Sequence, residues 1–67
     1  MMTAEQYRAA LERLQMTQVA AGELFRVGAR TSRRWALDEA RVPFAVAALL
    51  HLMLKKRLKP RDLLALE

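Results

Sequence analysis

Tyr7, Ala10, Leu11 and Leu14 recur at the spacing of one helical face, while Glu5, Arg8, Glu12 and Arg13 fall between them toward water. Thr3 followed by Gln6 has the spacing of a capping box, so a first helix is expected from there to about Leu14. Thr17 is the next good cap, and residues 18–25 contain no breaker except Gly22, which predicts a short second helix. Residues 26–28 interrupt the pattern, with Gly28 suited to a non-helical cap, and a third helix follows over about 29–36. On its wheel Arg30, Arg33 and Arg34 share one arc, and Ser32, Trp35 and Ala36 lie opposite. One face is cationic and the other core-like.

Residues 37–42 read as a polar connection. Pro43 suits the first turn of a fourth helix extending to about residue 58. From 44 to 54 that helix is apolar on nearly every side, His51 excepted, so part of its surface is expected to meet a partner subunit. His51 itself is expected half-buried or at that contact. Pro60 opens a last short helix over about 61–66, whose Leu63, Leu64 and Leu66 are expected to pack on the fourth helix or across a dimer.

The chain has 67 residues, of which 54% are hydrophobic and only 6% aromatic, a balance that favours closely packed helices over a sheet. The expected architecture is all-α: one domain over 1–67, built as a compact five-helix bundle. At this length the core is near the lower limit for a chain without staples. The absence of cysteine excludes disulfides and thiolate metal sites. His51 is a lone imidazole, no nucleophile motif is present, and so small a bundle encloses no substrate pocket. Neither an enzyme, nor a cofactor, nor a small-molecule ligand is expected.

A net charge of +5 predicts attraction to polyanions, and its distribution says which. Arg26, Arg30, Arg33 and Arg34 occupy an acid-free stretch, and Lys55, Lys56, Arg57, Lys59 and Arg61 form a second cluster at a helix carboxyl end. The second cluster complements a helix dipole without any ligand, whereas the first coincides with a whole helix face. The amino terminus lacks the order of a secretory signal, and the apolar run 42–54 is too short to span a bilayer. A cytoplasmic, nucleoid-associated protein with no membrane partner is expected.

A short helix, a tight turn, a cationic helix and then a mostly apolar one is the order of a helix-turn-helix, in which a small residue such as Gly22 permits the close crossing. Met16, Thr17, Gln18, Gly22, Phe25, Val27 and Trp35 together resemble the motif of the phage repressor and Cro-like (lambda-repressor-like, XRE-type) family. The sequence departs from that pattern at Arg26, where glycine is usual, at Gly28, where serine is usual, and at Ser32, where an aliphatic residue is usual. These departures predict a left-handed backbone at Arg26, and looser packing at Ser32 unless its hydroxyl bonds back to the helix.

The resemblance implies a recognition helix over about 29–36, with Ala29, Arg30 and Arg34 facing base edges and Arg33 reaching a base or a phosphate. Thr17, Gln18, Arg26, Gly28, Thr31 and Arg41 would then contact phosphates. Trp35 would anchor this helix on the second and fourth. The expected function is a sequence-specific double-stranded DNA-binding transcriptional regulator, a repressor acting as a homodimer through helices 4 and 5 on a pseudo-palindromic operator. The alternative is an antitoxin-like or phage accessory module that uses the apolar surface of helix 4 to bind another protein.

Overall fold

The structure, a computed structural model, describes residues 1–66. Among them are five helices and no strand: α1 (Ala4–Arg13), α2 (Gln18–Leu24), α3 (Ala29–Ala36), α4 (Phe44–Lys56) and α5 (Pro60–Leu64). Each helix start follows from a residue that suits it. Thr3 Oγ1 accepts the Gln6 N–H at 3.1 Å while Gln6 Oε1 accepts the Thr3 N–H at 2.9 Å, closing the expected box. Thr17 Oγ1 accepts the Ala20 N–H at 3.0 Å and starts α2. Pro43 is the residue before α4 rather than within its first turn, held extended at φ −60° and ψ 149°.

The helix ends are less orthodox. Gln15, Arg26, Asp38 and Arg57 all take left-handed φ, between 55° and 62°, directly beyond α1, α2, α3 and α4. In each case the following N–H turns back to a carbonyl five residues earlier: Met16 to Leu11, Val27 to Gly22, Glu39 to Arg34 and Leu58 to Met53, at 2.8–3.0 Å. These bonds satisfy carbonyls that a helix end would otherwise leave orphaned, and they offset the steric cost of the left-handed residue. They also explain where α2 and α4 stop. The fourth helix stops at Lys56 instead of running to 58, because Arg57 reverses the chain. The second stops at Leu24, and the last occupies Pro60–Leu64 rather than 61–66.

Tyr7, Ala10 and Leu11 of α1, Ala21 of α2, Trp35 and Ala36 of α3, and Val46, Ala47, Leu50 and Met53 of α4 form the core, closed by Met2, Met16 and Val42. α1 runs through it and packs on both α3 and α4. Of the terminal leucines only Leu63 packs on this core, while Leu64 and Leu66 are exposed. His51 is exposed in the single chain, a correction to its expected half-burial that does not bear on the expected subunit contact: the buried residues Ala47, Leu50 and Met53 turn the other side of α4 inward. The overflow of apolar surface expected of this helix is present, with Phe44 87% exposed and Leu49 and Leu52 also in contact with solvent.

Candidate nucleic-acid interface

α3 is fixed from behind by three different devices. Trp35 is buried with its ring at 86° to that of Tyr7 and 5.7 Å from it, an edge-to-face contact between α3 and α1. The ring partner thus belongs to the first helix rather than to the second or fourth. Ser32, fully buried, shares a 2.6 Å hydrogen bond with the Tyr7 hydroxyl. The hydroxyl is thus satisfied across to α1, a partner that sequence reasoning, weighing only a bond back to its own helix, did not consider. Arg8, expected in water, donates to the carbonyl of Ala36 and so neutralises the negative carboxyl end of α3.

α2 supports α3 from the side at very short range. A Cβ built on Gly22 would lie 2.4 Å from the carbonyl oxygen of Gly28, closer than any side chain can approach a backbone atom. Gly22 therefore sets how near α2 comes to the start of α3. Gly28 itself has φ 86° and ψ 158°, a backbone state essentially reserved for glycine, with open space where a Cβ would stand. Its neighbour Arg26 is left-handed, as the sequence predicts.

The opposite side of α3 faces solvent. Ala29, Arg30, Arg33 and Arg34 are all exposed, and Thr31 is half-buried. Among the described residues none bonds to or pairs with the guanidinium groups of Arg30, Arg33 or Arg34. Like charges at i, i+3 and i+4 disfavour a helix by roughly 0.2–0.5 kcal/mol per pair. The arrangement therefore works against the stability of α3 unless an anion compensates it.

Two shallow depressions organise this face. Gln18, Val19, Ala29, Arg30 and Arg33 line one, which brings the start of α2 and the start of α3 to a common surface. Arg30, Arg33, Arg34, Leu37 and Glu39 line the other. Arg30 and Arg33 border both. Thr17, exposed at the start of α2, accepts a backbone N–H yet keeps its own hydroxyl proton to donate. Arg41 is not part of this group: it lines a separate depression with Glu5, Arg8 and Asp38.

Two residues of the face escaped sequence reasoning. Val19 is 53% exposed beside Gln18, an apolar contact surface of the kind that meets a thymine methyl, and its only sequence signal is position next to the expected phosphate contact. Glu39 brings a carboxylate to the cationic depression because the left-handed Asp38 turns the chain back beside Arg34. Among the described residues no group of histidines or carboxylates is arranged to hold a metal ion, and no helix is long and apolar enough to cross a membrane. Comparison with protein-family models, curated proteins and solved structures found no match.

Proposed function

We propose that this chain binds double-stranded DNA in a sequence-specific manner, with α2 and α3 forming a helix-turn-helix and α3 entering the major groove. The observation that carries the reading is the set of three arginines, unpaired among the described residues, on the exposed face of a helix whose rear is locked by Trp35 and Ser32. Rigid presentation matters, because a guanidinium fork discriminates guanine only when both of its N–H groups reach O6 and N7 together. Gln18 and Thr17, beside this face at the start of α2, supply phosphate contacts that carry position rather than sequence.

A recognition helix of eight residues reads few base pairs, so a regulator of this size gains specificity by doubling. The apolar side of α4 around Phe44, Leu49 and Leu52 supports a homodimer, with α5 beside it, acting as a repressor on a pseudo-palindromic operator. Half-sites would then lie about 34 Å apart, one turn of the duplex.

Selection of bound fragments from a random duplex pool tests this reading. The expected product is an inverted repeat with guanine at positions lost when Arg30 or Arg34 is replaced. A pool that remains random after repeated rounds, with binding that depends only on salt, would overturn it.

A further inference from the structure

A partly apolar recess outside the α3 face lies where the carboxyl ends of α1 and α4 meet the start of α5. Leu14, Met53, Leu54, Leu58 and Pro60 supply its apolar lining, and among the described residues Arg13, Arg57 and Lys59 supply its charges. Met53 is fully buried beneath, while Leu14, Leu54 and Leu58 remain only half-covered by the fold. The recess holds about 410 Å³, within the range of small-molecule sites.

Cations at helix carboxyl ends have an ordinary explanation in the helix dipole, and its size can be weighed. Two helix ends carry roughly −0.5 charge each, together about −1. Three cations on the recess exceed that by about two charges; among the described residues no carboxylate lines it, Asp62 being turned to accept the Lys59 N–H at 2.7 Å. The backbone of Arg57 holds this excess beside the leucines: its left-handed turn, closed by Leu58 N–H on the Met53 carbonyl at 2.8 Å, brings a charged residue and an apolar one to the same lip.

We propose that this recess binds a carboxylate-headed amphiphile of the fatty-acid class, its hydrocarbon tail on Leu14, Leu54 and Leu58 and its carboxylate at Arg13, Arg57 and Lys59. A flat bilayer surface does not follow a concave wall, so the occupant is a single chain rather than a membrane. Sequence alone implied no small-molecule ligand, because Arg13 and Leu14 are about forty residues from the other lining residues and meet them only in the fold.

The test is a titration of sodium decanoate, below its micellar concentration, into the isotope-labelled full chain, followed by backbone amide shifts. Saturable shifts centred on Leu14, Leu54 and Leu58 are expected, with none from acetate and much weaker ones from decyltrimethylammonium. Arg13→Gln combined with Arg57→Asn, a pair that keeps the left-handed position tolerable, should weaken decanoate by about tenfold or more with the spectrum still folded. Equal response to the cationic amphiphile, undiminished affinity in the double variant, or shifts centred on Phe44 and Leu52 would each overturn the proposal. So would binding to phosphatidylglycerol vesicles without any response to monomeric decanoate.

Discussion

The hydroxyls of Tyr7 and Ser32 lie 2.6 Å apart in the core and join α1 to the helix that carries the arginines. Both groups are buried, and among the described residues no buried side-chain polar atom lacks a partner. Removing one side is therefore worse than removing both. Ser32→Ala leaves the phenol unpaired and should cost about 1–3 kcal/mol. Tyr7→Phe keeps the ring against Trp35 and lets the serine turn to the Gly28 carbonyl, so it should cost about 0.5–1.5 kcal/mol. In urea melts the double variant should lie well short of the sum of the two. Strict additivity would show that the bond does not couple the helices.

Tyr7 also gives the fold a dependence on alkaline pH. Burial pushes its phenol above the ordinary tyrosine value, and the bond to Ser32 only partly offsets that. An unfolded chain therefore loses this proton first as pH rises past about 10. The folded state then holds more protons than the unfolded one, so stability is complete below pH 10 and declines from there toward the higher folded value. Tyr7 is the sole tyrosine, and phenolate absorbance reports it directly. Titration at the ordinary value in the folded chain would contradict its burial.

Gly22 and Gly28 are both required, for unlike reasons, and substitution separates them. Gly22→Ala drives a methyl group into the Gly28 carbonyl, so α2 and α3 must part, at a cost of about 1–3 kcal/mol. Gly28→Ala meets open space but must hold φ 86°, a strain of about 1–3 kcal/mol. D-alanine at position 28, installed by chemical synthesis, favours positive φ and should restore stability. D-alanine at position 22 should not. Equal rescue at both positions would mean that one effect, not two, is at work.

The contrast between helix starts and helix ends shows what sequence carried. Thr3, Thr17, Pro43 and Pro60 each mark a start by chemistry that acts within three residues, and the starts were legible to within a residue. The turns beyond the ends were less so: α1, α2 and α3 stop within a residue of expectation, but Gln15, Arg26, Asp38 and Arg57 ordinarily avoid a left-handed backbone, aspartate least so, and Arg57 stops α4 short of residue 58. Arg26 could be anticipated from its place in the motif, but at Gln15 and Arg57 the packing of Met16 and Leu58 against the core supports the turn together with its hydrogen bond, and no local rule encodes that. The candidate site divides in the same way. The arginine arc is visible in the spacing of Arg30, Arg33 and Arg34, but the partners that fix it, Tyr7 and Arg8, lie on a helix distant in sequence.

The proposed dimer rests on α4, and a single charge there is diagnostic. Leu52 is 44% exposed, so Leu52→Glu leaves the core of one subunit intact. In a subunit contact the same carboxylate would be buried without a partner, at a cost of several kcal/mol. Sedimentation should therefore give a dimer for the parent and a helical monomer for the variant, with weaker binding to a two-half-site duplex. A parent chain that stays monomeric at every concentration would exclude this interface.

Arg30 borders both depressions of the α3 face, and Arg34 only the one that Glu39 also lines. Either substitution, Arg30→Ala or Arg34→Ala, should cost about 1–3 kcal/mol on the selected operator and little on random duplex. Glu39→Gln removes the carboxylate beside them, so it should raise affinity for every sequence alike. Arg41→Ala is the control for position. As a phosphate contact it should weaken all duplexes and lower the salt slope by about one. Its depression also contains Glu5 and Asp38, and an unchanged slope would assign its charge to those carboxylates instead. Equal losses on operator and random duplex for Arg30→Ala would remove base reading from α3 altogether, because a phosphate contact cannot tell one sequence from another.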